Sequence, residues 1–313
     1  MDEAYALSQA KADAGRVVLV TGAGKGLGAA FATAWARRGA SVVVNNRHGE
    51  DGTPSAERIA AMLRSEGHKA IADLHPVDDR GAADAIVASA IAAYGRLDAI
   101  ILNAGVNGPA AKVADLDDAA IRDVMDINFH ANTALVRAAL PFILASPTGR
   151  ILFVSSSAGL HGVRGRAAYA ASKSALNGYA LTVADELRRD GVGVNVLLPY
   201  AATTMTTKTG DAPNPALAPA LAAPAAVWLT GAACRETGTM WIAGGGQFRR
   251  ARTMESLGGG IAAPTPEWLA ANSGRLSDMA GARSYPGAEA AFADFYADCI
   301  SRTKESGDAE AYD

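Results

Sequence analysis

Two hydrophobic patterns alternate along the first 245 residues. Short runs of β-branched and aliphatic residues recur at 17–20, 41–45, 99–102, 151–154 and 192–198. Between them lie longer stretches whose apolar residues return at helical spacing, as Ile59, Met62 and Leu63 do in TPSAERIAAMLRSEG. That stretch carries its own boundary signals. Thr53 suits the N-cap, Pro54 the first helical position, Glu57 the first turn, and Gly67 the end. Strands alternating with helices imply crossover connections and a parallel sheet covered on both faces. The near-continuous apolar runs AIIL and ILFV fit strands buried on both sides. The pattern predicts a doubly wound α/β sheet.

The rhythm changes twice. Residues 211–226, DAPNPALAPALAAPAA, are rich in proline and alanine and predict an irregular or short helical connection. After MWIAGGG the strand–helix alternation stops. The expected division is an N-terminal tail over 1–15, an α/β domain over 16–246 and a C-terminal extension over 247–313. Helix candidates in the extension lie near 266–272 and 287–302.

Composition narrows the chemistry. Half of the 313 residues are apolar and 19% are charged, ample for a sizeable core. A net charge of −3 gives no electrostatic reason for a nucleic-acid or membrane partner. Cys234 and Cys299 form neither a disulfide framework nor a ligand spacing. The five histidines lack a metal-ligand spacing, and no G-x-S-x-G elbow points to a hydrolase. The opening MDEAYALSQAKADAGR lacks the uninterrupted apolar core of a signal peptide, and no run approaches membrane-span length. A soluble, cytoplasmic protein is expected.

VTGAGKGLG, residues 20–28, comes directly after the first strand and opens a helix that Gly39 would end. Glycine loses more backbone entropy on folding than any other residue, so four in nine positions need a cause. A flexible turn is one; close approach of the backbone to a pyrophosphate at a helix N-terminus is the other. Two frames fit the glycines. Gly24, Gly26 and Ala29 make G-x-G-x-x-A, while Thr21, Gly22, Gly26 and Gly28 make T-G-x-x-x-G-x-G. The second is preferred because of three motifs further along the chain. ILNAG (101–105) ends another strand with turn residues, and VSSSAG (154–159) ends one in three hydroxyls. In YAASK, Tyr169 and Lys173 are four apart and share a helix face. An ammonium beside a phenol favours the phenolate and lowers its pKa.

TGAGKGLG, LNAG, MDINFHANTALV, VSSSAG and YAASK, in this order and at these intervals, resemble the short-chain dehydrogenase/reductase family over residues 16–246. The resemblance implies a Rossmann fold and a Ser-Tyr-Lys-Asn tetrad. Tyr169 is then the acid/base and Ser156 fixes the substrate oxygen. Lys173 holds the nicotinamide ribose and tunes the tyrosine. Asn128 orders a water behind the lysine, while Ser155 and Ser157 are structural. The implied cofactor contacts are Thr21, Gly22, Gly24, Lys25, Gly26, Leu27 and Gly28, then Asn46 and Arg47, then Asn103, Ala104 and Gly105. Tyr169, Lys173, Pro199 and Ala202 complete that set. The family's first asparagine before Asn103 is replaced here by Leu102.

SVVVNN ends where an NAD enzyme usually carries an acid for the ribose 2′-hydroxyl; here Asn46 stands there, with Arg47 next. The missing carboxylate, with Arg47 and Lys25 nearby, favours NADP(H), with NAD(H) open. SVVVNNR and the stretch from VWLTGAACRETGTMWIAGGGQFRRARTMESLGG look most like the (3R)-hydroxyacyl-CoA dehydrogenase unit of multifunctional enzyme type 2 and its single-domain bacterial relatives. That implies an oxidoreductase on a secondary alcohol or ketone, with a 3-hydroxyacyl or 3-ketoacyl thioester as the candidate substrate. Alternatives are a reductase of free cyclic or aromatic ketones and a catalytically idle NADP-binding regulator. His161, Arg164 and Arg166 either face the substrate or lie on solvent-facing loops; Met205 and Trp268 are expected to pack. Tyr200 stands where the wider family often has glycine. By the same resemblance a homodimer or homotetramer is expected.

Overall fold

The computed structural model describes residues 12–47, 52, 54–202 and 214–305. Its strands are β1 (Val17–Val20), β2 (Ser41–Asn45), β3 (Ala70–Asp73), β4 (Ala99–Leu102), β5 (Arg150–Val154), β6 (Gly193–Pro199), β7 (Thr239–Gly244) and β8 (Gln247–Ala251). They form one sheet in the order β3-β2-β1-β4-β5-β6-β7-β8. The first seven pair in parallel, with Val18 opposite Val42 on one side and Ala99 on the other. The strand order reverses direction between β1 and β4, which opens a crevice at their carboxyl ends.

The helices are α1 (Gly26–Arg37), α2 (Ser55–Ser65), α3 (Ala82–Tyr94), α4 (Asp118–Met125), α5 (Ala131–Ala145), α6 (Ala167–Glu186), α7 (Ala223–Thr230), α8 (Pro266–Leu276) and α9 (Ala288–Glu305). Side chains alternate across each strand, so both sheet faces bury apolar residues. Val18, Val20, Val42, Val44, Ile101 and Leu152 face a core shared with Phe31 and Trp35 of α1, Leu63 of α2 and Leu229 of α7. The Trp35 indole donates to Thr230 Oγ1 at 3.0 Å and fastens α1 to α7. On the opposite face α3, α5 and α6 cover the sheet.

Several details depart from the sequence pattern. Thr53 lies outside the described residues, and Pro54 takes the capping position because helical geometry begins at Ser55. β3, AIAD, escapes the apolar pattern because it is an edge strand buried only at its two ends. The strand–helix alternation stops at MWIAGGG, as expected, but the sheet does not: after a turn at Gly245 and Gly246, both with positive φ, β8 adds an exposed edge strand that the pattern does not predict. A two-residue turn can join only antiparallel neighbours, and arginines along such an edge discourage further strand pairing. The proline–alanine stretch forms single 3₁₀ turns at Pro215–Leu217 and Pro219–Leu221 before α7.

The chain divides into two compact units, the second starting at Ala251. Within it α8 begins at a Thr265 cap, whose hydroxyl accepts from Trp268 N. Arg283 and Tyr285 both hold Asp294 of α9.

Candidate active site

Thr21, at the end of β1, begins the site. Its hydroxyl accepts from the backbone N–H groups of Asn103 and Ala104, both at 3.0 Å. Asn103 answers with Nδ2, donating to the carbonyls of Thr21 (2.9 Å) and Gly22 (3.2 Å). The turns after β1 and β4 are thereby locked together. Leu102, in place of an asparagine, is fully buried as the last residue of β4.

The glycines have separate reasons. Gly22 takes φ +62°, and a Cβ there would sit 2.9 Å from Ala104 Cα. Gly28 lets α1 approach the turn, since a Cβ would lie 2.6 Å from Asn103 Nδ2 and against the Gly22 carbonyl. A Cβ on Gly24 would collide with Ser55 Oγ and lie 2.6 Å from Asn46 Nδ2. Gly26 takes φ +57°. Lys25, extended and exposed, occupies the N-cap position of α1 without a side-chain capping bond, and Leu27 packs on the core. This bare backbone at a helix N-terminus has the shape and polarity that suit a dinucleotide pyrophosphate.

Asn46 stands just past β2. Its Nδ2 donates to Ser55 Oγ (2.7 Å) and to the Arg47 carbonyl (3.0 Å), and its backbone N–H donates to the Asp73 carbonyl at 3.0 Å. Arg47 is exposed. From α2, Arg58 Nη2 reaches back to the Gly24 carbonyl at 3.3 Å.

Asn128 lies in a π-helical turn, Asp126–His130, between α4 and α5. Such single wide turns cluster at functional positions. The side chain is fully buried: Oδ1 accepts from Val106 N (2.8 Å), and Nδ2 donates to Val106 O and Ser172 Oγ, both at 2.9 Å. Its own carbonyl accepts from Asn132 Nδ2 at 2.7 Å. The carboxamide is thus a strut for the chain after β4. Gly105 passes beside it; a Cβ there would be 3.0 Å from Asn128 Oδ1 and 3.4 Å from Lys173 Nζ.

Tyr169 and Lys173 stand one turn apart on α6. Lys173 is 4% exposed, and its ammonium donates to the Val154 carbonyl at 2.9 Å. Burial pulls its pKa down to about 8. Nζ lies 5.9 Å from the centre of the Tyr169 ring. Burial pushes the Tyr169 phenol up, and a hydrogen bond with Ser156 pulls it the other way. The net shift is upward, from burial, and not the lowering expected from the lysine.

Ser156 Oγ also accepts from Ala158 N at 3.2 Å. The turn it sits on is pinned to α6. Ser155 Oγ donates to the Lys173 carbonyl (3.2 Å), Ser174 Oγ donates to the Gly159 carbonyl (2.9 Å), and a Cβ on Gly159 would lie 2.7 Å from the Lys173 carbonyl carbon. Ser157 stands at the N-cap of the single turn Ala158–His161.

Pro199 and Ala202 lie at the carboxyl end of β6, where Ala202 N donates to Leu217 O at 2.7 Å. Tyr200 is 48% exposed. His161 and Arg164 are exposed. Arg166 instead donates to the Gly108 carbonyl, and Ala111 N donates to the Gly165 carbonyl at 3.1 Å, which clips the loop after β4 to the start of α6. Met205 lies outside the described residues; Trp268 is half-buried on α8. Sequence reading missed the supporting Ser55, Arg58 and Ser172. Ser172 stands inside YAASK but has no signal of its own, and the Arg58 contact spans 34 residues of chain. Among the described residues no helix is long and apolar enough to cross a membrane.

Known proteins share this fold. Peroxisomal multifunctional enzyme type 2 of Mus musculus is 34% identical over 280 residues, 86% of this chain and 37% of that protein. The chain thus spans little more than a third of that relative. A short chain dehydrogenase from Mycobacterium avium superposes with a TM-score of 0.76 at 33% identity, covering 87% of this chain and 97% of that one. Another, from Shigella flexneri and complexed with NADP, gives a TM-score of 0.65 at 30% identity over 73% of this chain and 97% of its own. Residues 16–214 match the family described as short chain dehydrogenase, and this chain is a member of that family.

Proposed function

We propose that the chain interconverts a secondary alcohol and a ketone, with Tyr169 as the acid/base and NADP(H) as the hydride partner. The placement of Tyr169 one helical turn from the buried Lys173, with the turn bearing Ser156 pinned to the same helix, carries this reading, because it gathers a phenol, an ammonium and a hydroxyl at the carboxyl ends of the strands. The dinucleotide, when bound, supplies or accepts the hydride. The other functions belong to the chain.

In reduction, Ser156 donates a hydrogen bond to the substrate oxygen and Tyr169 gives that oxygen its proton. In oxidation, the phenolate takes the alcohol proton back. Lys173, held by Val154 O behind the tyrosine, has further N–H donors for the ribose hydroxyls and replenishes the phenol proton. Asn128 and Gly105 keep the floor beneath Lys173 in place. The glycine turn receives the pyrophosphate, while Asn46, Arg47 and Lys25 surround the adenosine ribose. With no carboxylate at position 46 and two cations beside it, that end favours a 2′-phosphate.

For the substrate, the likeness to the hydroxyacyl-CoA dehydrogenase group supports a 3-hydroxyacyl or 3-ketoacyl thioester. A homodimer or homotetramer in the cytoplasm, with residues 16–246 catalytic and 247–313 an extension, completes the proposal. The test monitors NADPH and NADH oxidation side by side with a 3-ketoacyl-CoA and with a panel of free ketones. Fast NADPH-linked turnover of the thioester is the expected result. Turnover of free ketones alone would discard the thioester, and a preference for NADH would discard the cofactor assignment.

A further inference from the structure

The Gly24 carbonyl is reached by a cation that lies outside every motif in the chain. Arg58 projects from the first turn of α2 and spends one N–H on that carbonyl at 3.3 Å. Two further contacts fix the same turn of α2 at this place. Ser55 Oγ accepts from Asn46 Nδ2 at 2.7 Å, and Ser55 also fills the space that a Cβ on Gly24 would need. Gly24, Asn46, Ser55 and Arg58 thus form one knot between the glycine turn, the end of β2 and the start of α2. Two more exposed cations flank it in the chain: Lys25 is next to Gly24 and Arg47 is next to Asn46.

The acidic groups described around the knot are already engaged. Glu57, in the same turn as Arg58, is paired with Arg64. The Asp73 carboxylate is held by Asn45 Nδ2 (2.8 Å), Ser89 Oγ (2.6 Å) and His75 Nδ1 (3.0 Å). A guanidinium carries five N–H donors in a planar fork that matches a phosphate. Among the described residues the guanidinium spends one donor, on Gly24, and the side chain is exposed, which leaves the rest of the fork for a ligand at the edge of the glycine turn.

We propose that Arg58 joins Lys25 and Arg47 in reading a phosphate monoester on the adenosine ribose, with the Gly24 carbonyl holding its guanidinium ready. The proposal rests on the NADP(H) reading above and names the residue that enforces it. A phosphate monoester on adenosine ribose occurs at the 2′ position in NADP(H) and at the 3′ position in coenzyme A. Asn46 stands at the end of β2, the family's place for the ribose 2′ substituent, so the 2′ phosphate is the one assigned.

The experiment titrates the full chain by calorimetry with 2′,5′-ADP, 3′,5′-ADP and 5′-ADP, for the wild type, Arg58→Gln and Arg58→Lys. Losing one charge-assisted phosphate contact should weaken 2′,5′-ADP binding to Arg58→Gln by about ten-fold or more. Binding of 5′-ADP should be unchanged, and Arg58→Lys should recover part of the loss. An equal loss for 5′-ADP would reduce Arg58 to a brace for the glycine turn and overturn the proposal. So would an equal loss for 3′,5′-ADP, or no loss at all in a variant of wild-type thermal stability. A wild type that binds 2′,5′-ADP no better than 5′-ADP would instead remove the NADP(H) reading, and the proposal with it.

Discussion

The carboxamide of Asn128 and the backbone of Val106 exchange two hydrogen bonds, Oδ1 accepting at 2.8 Å and Nδ2 donating at 2.9 Å. The chain leaving β4 is therefore shaped by a buried side chain from a π-helical turn, and Gly105 runs through the gap between Asn128 and Lys173. Asn128→Ala leaves the Val106 N–H and C=O without these partners. The expected cost is about 1–3 kcal/mol, read as a lower denaturation midpoint at unchanged m-value. Activity should fall with it, because Lys173 loses its neighbouring wall. An unchanged midpoint would show that the strut is dispensable.

Ser156 opposes the upward push that burial exerts on the Tyr169 phenol. Removing it in Ser156→Ala leaves burial unopposed, so the phenolate becomes harder to form. Alcohol oxidation needs that phenolate, and its alkaline rise should move to higher pH in the variant, together with a drop in turnover. The pH dependence of kcat/KM in the oxidation direction checks this. A profile displaced to lower pH would contradict it.

Lys173 titrates at about 8 in the folded chain against 10.5 for an ordinary lysine. Between those values the unfolded chain binds the proton and the folded one does not, so stability rises with pH across that window. Below it the buried charge costs on the order of 3 kcal/mol relative to an ordinary lysine. Lys173→Met has no such group. The stability of the wild type should therefore gain on that of Lys173→Met by about this amount between pH 8 and 10.5. Parallel curves from urea titrations across the window would sink the prediction.

At the adenosine end, Asn46→Asp combined with Arg47→Leu restores an acid facing the ribose and removes one cation. The ratio of kcat/KM for NADPH over NADH should fall by at least about ten-fold. Ser55, which now accepts from Asn46, can donate to the new carboxylate, so the knot at Gly24 should survive. An unchanged ratio would take position 46 out of cofactor selection.

Much of this molecule was readable from the chain because its information is local. The buried parallel strands announce themselves as apolar runs, and the glycine turn, Ser156, Tyr169 and Lys173 sit within short motifs at fixed offsets. What escaped depends on partners distant in sequence. β3 and β8 are edge strands whose composition answers to solvent on one side, so neither shows an apolar run. Arg58 is an ordinary exposed helix residue until α2 is docked on the glycine turn. The strut at Asn128 needs the loop after β4, 22 residues away, to give its carboxamide a purpose. Arg166, open to a substrate-facing reading in the sequence, is a loop clip once Gly108 is beside it.

The most direct test is Tyr169→Phe, which removes one oxygen and keeps the ring packed on α6. Cofactor affinity by fluorescence titration and turnover of the best carbonyl substrate are measured on the same preparation. A tyrosine that supplies the proton predicts unchanged affinity and a loss of turnover of roughly 10²–10⁴-fold or more. Turnover close to wild type would contradict the assignment and move the acid to another group.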